Sequence, residues 1–137
     1  MIKKITRVGI ATRSIAVTSE VYKCLGLDME AVEIVKDDQV KAAMMKVGES
    51  ALVLLEATKA DSSVKRFLDS HGEGIHHITL EVDDLAGHLE TLKRRDVKLL
   101  SESPERDASG GQAVAIHPDS TGGVLIELME PAGEDKK

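Results

Sequence analysis

Apolar and polar positions follow one order along this chain, and that order occurs twice. In the first half, alternating or continuous apolar runs predict strands at residues 2–12, 29–35, 40–47 and 51–56, with a helical spacing at residues 14–25. In the second half, the same signals predict strands at residues 75–82, 98–101, 112–117 and 123–129, with a helix at residues 85–95. Each half is therefore predicted to be a βαβββ module.

A short amphipathic stretch separates the two halves. Its apolar positions predict a linking helix at about residues 61–71, with Asp61 or Ser62 as its N-cap. We expect one domain at residues 1–131, with module one at about residues 1–60 and module two at about residues 72–131. We expect a mobile polar loop at residues 103–111 and a flexible tail at residues 132–137.

A single βαβββ unit leaves one face of its sheet uncovered, so two copies are expected to pack together. The predicted fold class is α+β, with the tandem modules forming a cupped mixed sheet. Strand alternation, with its period of two residues, selects the side chains that face the cup. Equivalent positions of the two repeats then form one candidate cluster: Arg7, Val53, His77 and Glu127.

Composition narrows the classes of function. The 137 residues are 42% hydrophobic and 31% charged, which is typical of a globular chain. A net charge of -6 and only two aromatic residues, Tyr22 and Phe67, disfavour nucleic acid as a partner. No apolar run is long enough for a membrane span, and the single Cys24 excludes an internal disulfide. A cytoplasmic protein is expected.

Two stretches resemble the vicinal oxygen chelate (glyoxalase/bleomycin resistance/dioxygenase) superfamily, and within it the methylmalonyl-CoA epimerases. They are GEGIHHITLEVDD at residues 72–84 and HPDSTGGVLIELMEP at residues 117–131, with a weaker match, KVGESALVLLEA, at residues 46–57. The resemblance implies a divalent metal in the cup (cobalt, manganese, zinc or nickel), a homodimer, and movement of the proton alpha to an acyl-CoA thioester. A Lewis acid would stabilise the enolate-like oxygens while a carboxylate moves the proton.

The metal ligands that the resemblance implies are only half present. His77 and Glu127 match the family's ligands in the second module, whereas Arg7 and Val53 stand where the first module would supply two more. A further family glutamate, proposed as a second base, falls at Ala42. Two protein ligands are few for such a metal, and a guanidinium repels a cation. The sequence therefore leaves two alternatives, a protein with a bound divalent metal and a protein without a cofactor.

In an alternative hypothesis, the positive charge of Arg7 takes the role of the metal. Its guanidinium would hold a substrate carboxylate or an enolate oxygen, and Glu127 or His77 would carry the proton. The chain would then be a metal-independent enzyme, or a metal-free module that binds an acidic metabolite. The residues predicted to contact the ligand, in addition to the catalytic candidates Glu127, His77 and Arg7, are Thr79, His117, Gly122 and Gly123. A turn role is an equal alternative for His117 and the safer one for the glycines.

Overall fold

The computed structural model describes residues 1–35, 39–101, 103–106 and 110–132. The chain divides into two compact units, each built around one of the sequence repeats. The first unit is Arg7–His76, and the second unit joins Met1–Thr6 to His77–Lys137. Within the described residues, no helix is both long enough and apolar enough to cross a membrane.

The first unit is a four-stranded sheet with two helices. Its elements in chain order are β1 (Ile2–Ala11), α1 (Ile15–Cys24), β2 (Met29–Val35), β3 (Val40–Val47), β4 (Ser50–Ala57) and α2 (Ser63–His71). The strands lie in the order β2-β3-β4-β1, with antiparallel pairing except between β1 and β4, which are parallel. The residues of β1 before Arg7 belong to the second unit.

The second unit repeats this plan. Its elements are β5 (Gly74–Val82, from His77 onward), α3 (Leu85–Arg94), β6 (Glu105–Arg106), β7 (Gln112–Ile116), a 3-10 helix (Pro118–Ser120) and β8 (Ile126–Glu130). β5 and β8 are parallel, and β8, β7 and β6 continue as antiparallel neighbours. The prediction of an α+β fold from two βαβββ repeats is confirmed.

In each repeat, a glutamate at the end of the last long strand accepts a hydrogen bond from the first amide of the helix. The Ile15 amide at the start of α1 donates to Glu56 Oε1 over 2.7 Å, and the Leu85 amide at the start of α3 donates to Glu130 Oε1 over 2.8 Å. Carboxylates stabilise helix N-termini because the first amides lack partners inside the helix. Both strand-to-helix junctions therefore use the same device.

The helices also end alike. Leu27 N donates to Tyr22 O over 3.2 Å after α1, and Val97 N donates to Leu92 O over 3.0 Å after α3. The turn needs a left-handed residue, which is Gly26 (φ +99°) in the first repeat and Asp96 (φ +58°) in the second. Aspartate tolerates this conformation better than most side chains. The sequence signal for this turn, Gly26, is therefore present in only one repeat.

Each helix covers a separate apolar cluster. α1 packs on β3 and β4 through a cluster that includes Ile15, Met45 and Leu54, and α3 packs on the second sheet through Leu85, Leu89 and Leu128. α2 covers the opposite face of the first sheet, where Val64 and Leu68 pack against Ala11, Val53 and Leu55. Ser62, one of the two predicted N-caps, accepts from the Lys65 amide at the start of α2.

Several predicted boundaries in the second half are wrong. Residues 98–101 do not form a strand, because only Leu99 makes a ladder bridge, to Ile116. The last strand begins at Ile126 instead of at residue 123, since Gly122 and Gly123 have φ of +75° and +96°. β6 lies inside the predicted loop at residues 103–111. Residues 107–109 of the predicted loop, residues 133–137 of the predicted tail and residues 36–38, between two predicted strands, lie outside the described residues.

Candidate active site

The centre of the candidate site is a hydrogen bond between neighbouring strands of the second unit. Thr79 of β5 lies directly opposite Glu127 of β8, and its Oγ1 donates to Glu127 Oε1 over 3.0 Å. Thr79 is fully buried, at 0% exposure, and Glu127 is half-buried. Because a buried carboxylate is costly unless hydrogen-bonded, the threonine hydroxyl helps to make this position tolerable.

Strand alternation determines which side chains accompany this pair. Leu80, Val82 and Leu128 belong to the apolar cluster under α3, so their neighbours along each strand point to the other side of the sheet. We call this side the polar face and define it by four residues: His77, Thr79, Glu81 and Glu127. His77 and Glu81 are half-buried. The structure therefore brings His77, Thr79 and Glu127 to one face, as the sequence predicted.

A second threonine holds the other carboxylate of the polar face. Thr6 Oγ1 donates to Glu81 Oε1 over 3.4 Å, and both residues belong to the second unit. Strand alternation in the sequence already predicts that Glu81 lies on the same side of β5 as His77 and Thr79. Thr6 was not predicted, because its contact with Glu81 joins residues that are far apart in the chain.

The equivalent residue pair of the first unit has no polar side chain. Gly9 of β1 lies opposite Val53 of β4, at the repeat positions of Thr79 and Glu127. Val53 is only 6% exposed and packs in the apolar cluster with Val64 and Leu68. Arg7 is half-buried and lies opposite Ala51. Ala42 packs against the same apolar cluster.

These surroundings bear on the metal that the resemblance implies. Val53 offers no donor atom, and the positively charged guanidinium of Arg7 repels a cation. Across the described ranges, no three His, Cys, Asp or Glu side chains are arranged to hold a metal ion. The donor set therefore does not fit the three protein ligands of a catalytic zinc or the oxygen-rich shell of a hard divalent ion.

His117 and the two predicted ligand-binding glycines lie in the connection between β7 and β8. His117 caps the 3-10 helix, since its Nδ1 accepts from the Asp119 amide over 3.0 Å. The carboxylate of Asp119 lies 3.7 Å from the same nitrogen. Gly122 and Gly123 have the positive φ already noted, and a Cβ at either would meet no atom within 4 Å. The turn role of these residues is present; their contact with a ligand stays a prediction.

His76, beside His77 in the sequence, packs against an aromatic ring. It lies in the first unit, where its ring meets the edge of Phe67 with centroids 5.2 Å apart. Phe67 also stacks on His71 at 4.7 Å. Burial lowers the pKa of His76, because desolvation disfavours the charged imidazolium. His76 is therefore a neutral packing residue near neutral pH.

Comparison with known proteins now assigns the family. Residues 6–116 match the model of the Glyoxalase/Bleomycin resistance protein/Dioxygenase superfamily. The chain belongs to this superfamily. A relative from Bacillus subtilis (strain 168), the uncharacterized protein YqjC, is 36% identical over 132 residues, which are 96% of this chain and 94% of the relative. These matches confirm the resemblance and the fold class.

Methylmalonyl-CoA epimerases are among the superfamily members that the chain resembles. The mitochondrial enzyme of Dictyostelium discoideum is 32% identical over 131 residues, covering 94% of this chain and 79% of that protein. A Streptomyces coelicolor epimerase variant, solved in complex with 2-nitronate-propionyl-CoA, has a TM-score of 0.88 and 31% identity, with 97% of each chain covered. These likenesses confirm the prediction of an enzyme, an isomerase of the epimerase type.

Proposed function

We propose that this chain is a methylmalonyl-CoA epimerase-like isomerase that moves the proton alpha to an acyl-CoA thioester. The observation that carries the proposal is the hydrogen-bonded pair of Thr79 and Glu127 on the polar face. The similarity to methylmalonyl-CoA epimerases, one of them solved with 2-nitronate-propionyl-CoA, supports the same class of substrate.

Glu127 is the proposed proton carrier. A carboxylate within reach of an alpha carbon acts as a general base when its orientation is fixed. The Thr79 hydroxyl supplies that orientation by holding Oε1, and it also stabilises the ionised form. Proton removal places negative charge on the thioester oxygen, and this charge needs a donor or a cation beside it.

His77 and Arg7 are the residues proposed to stabilise the negative charges of the reacting acyl group. His77 lies on the same strand face as Thr79, and either of its ring nitrogens can donate a hydrogen bond to an enolate oxygen. Arg7 offers a permanent positive charge that suits the carboxylate of a malonyl-type acyl group. The proposed proton transfer uses no metal, because the donor set does not fit one.

The ligand-binding positions complete the proposal. Thr79, His117, Gly122 and Gly123 are proposed to contact the substrate, with the β7–β8 connection admitting its pantetheine arm. The open space around Gly122 and Gly123 supports this placement. The homodimer and the cytoplasmic location stay predictions from the sequence.

A metal-independent enzyme that acts on another acidic ligand is the second candidate function. It is favoured by the first unit, where Val53 stands in an apolar cluster at a ligand position of the family. In this case Arg7 would hold the carboxylate of that ligand. Turnover of methylmalonyl-CoA separates the two functions directly.

The test is epimerisation and alpha-proton exchange of methylmalonyl-CoA in deuterated water, with and without a chelator. We expect the wild type to catalyse both, and Glu127→Gln to lower the rate of epimerisation about 10²–10⁴-fold because the amide cannot accept the proton. Glu105→Gln, an exposed carboxylate of β6, is the matched control and should match the wild type. Absence of exchange from methylmalonyl-CoA would favour the enzyme with another acidic ligand, and loss of activity with a chelator would show that a metal takes part.

A further inference from the structure

The polar face carries two carboxylates on neighbouring strands. Thr79 faces Glu127, and Glu81 faces Met129, so Glu81 is the diagonal neighbour of Glu127 across the β5–β8 ladder. With neighbouring strands roughly 4.8 Å apart and a rise of roughly 3.3 Å per residue, the Cα atoms of two such diagonal positions are roughly 8 Å apart. An alpha carbon placed above the ladder between the two carboxylates would therefore be within reach of both.

Each of the two carboxylates is oriented by one threonine. Thr79 donates to Glu127 over 3.0 Å, and Thr6 donates to Glu81 over 3.4 Å. Other acidic residues of the second unit serve the backbone instead: Glu130 and Asp84 both accept from amides at the start of α3. Glu81 has no such helix or turn contact among those described, which distinguishes it from these structural carboxylates.

Epimerisation itself requires a second proton carrier or a reorientation of the intermediate. A proton that leaves one face of the alpha carbon must be replaced on the other face to invert the centre. Glu127 alone returns the proton to the face from which it came. The further glutamate of the family falls at Ala42, which has no proton to give and packs in an apolar cluster.

We infer that Glu81 is the second catalytic carboxylate, which exchanges a proton with the face of the alpha carbon opposite to Glu127. This inference rests on the proposed function. In one direction, Glu127 takes the alpha proton as the C–H bond breaks, and the electron pair moves onto the thioester oxygen. Protonated Glu81 then donates to the other face, a new C–H bond forms, and the electron pair returns to carbon. Glu127 ends protonated and Glu81 ionised, so the reverse reaction or exchange with water restores the enzyme.

The test follows deuterium incorporation separately from each epimer of methylmalonyl-CoA. Glu81→Gln should lower epimerisation about 10²–10⁴-fold while leaving exchange from the epimer that Glu127 deprotonates nearly unchanged. Glu127→Gln should give the mirror result, with exchange from the other epimer retained. A structural role for Glu81 would instead lower exchange from both epimers together.

Two further variants keep the test decisive. Glu90→Gln, an exposed carboxylate on α3, is the matched control and should leave both exchange rates unchanged. Glu81→Asp keeps the acid and should retain more epimerisation than Glu81→Gln. Wild-type epimerisation by Glu81→Gln, or equal loss of both exchange reactions, would overturn the assignment of Glu81 alone. Absence of exchange in the wild type would overturn the proposed function and this inference together.

Discussion

The first and second units share a scaffold but not a chemistry. Glu56 and Glu130 hold equivalent helix starts, and Leu27 and Val97 close equivalent turns. At the equivalent strand pair, however, the first unit has an apolar pair, Gly9 and Val53, whereas the second has Thr79 and Glu127. The repeats therefore preserve the contacts that satisfy the backbone, while the face opposite α1 or α3 has diverged.

The difference has a packing cause. In the first unit, Val64 and Leu68 of α2 cover Val53, so a polar group at that position would lose water without gaining a partner. In the second unit, Glu127 is half-buried and accepts from Thr79, so its carboxylate has a partner. At these positions, the first repeat contributes only to an apolar cluster, whereas the second repeat contributes candidate catalytic residues.

Placing the second unit's carboxylate in the first unit should produce the largest effect. Val53→Glu puts a carboxylate into the apolar cluster under α2, so we expect unfolding free energy to fall by about 3–5 kcal/mol. Urea denaturation at neutral pH measures this loss. Val53→Ala is the control, with an expected loss of about 1–2 kcal/mol from lost apolar burial. Equal losses in the two variants would contradict the account of α2 as an apolar cover.

Removal of the glutamate at the start of each helix should, by contrast, destabilise both units equally. Glu56→Ala and Glu130→Ala each remove the acceptor of one helix amide, so each should cost about 1–2 kcal/mol. Glu20→Ala and Glu90→Ala, on exposed and equivalent helix positions, are the controls and should stay within about 0.5 kcal/mol of the wild type. Urea denaturation compares all four variants. A large effect at only one of the glutamates would show that the repeats do not share this device.

The smallest expected effect is a pH dependence confined to the first unit's β1–α1 turn. Glu73 accepts from the Arg13 amide over 2.9 Å and from Thr12 Oγ1 over 3.0 Å. The Arg13 amide first, then the Thr12 hydroxyl, lower the pKa of Glu73 below its ordinary value of 4.5. Its stabilising contribution is thus present above that value and lost as the pH falls through the lowered pKa.

Glu73→Gln should remove this component, so its stability should fall less steeply than that of the wild type on acidification. Urea midpoints at neutral and acidic pH measure the slope. Glu30→Gln, an exposed carboxylate of β2, should keep the wild-type slope. An unchanged slope in Glu73→Gln would contradict the assigned hydrogen bonds.

Periodicity predicted most of the elements because each helix and each long strand has a clear apolar side. The strands at residues 29–35 and 40–47 were placed correctly, since charged residues and Gly48 bound these apolar runs. The errors lie at residues 98–101 and 123–125, where apolar residues are present but no continuous strand ladder forms. Pairing depends on a partner strand and on backbone angles such as those of Gly122 and Gly123, which local pattern does not specify.

The sequence by itself determined the duplication, the fold class and the chemical asymmetry of the repeats, because these are properties of residue type and spacing. Only the tertiary structure decided that Thr79 bonds Glu127, that Thr6 bonds Glu81, and that Val53 lies in an apolar cluster. Such contacts join residues far apart in the chain. Their geometry depends on strand register and helix packing, so residue type alone selects the candidates but not their partners.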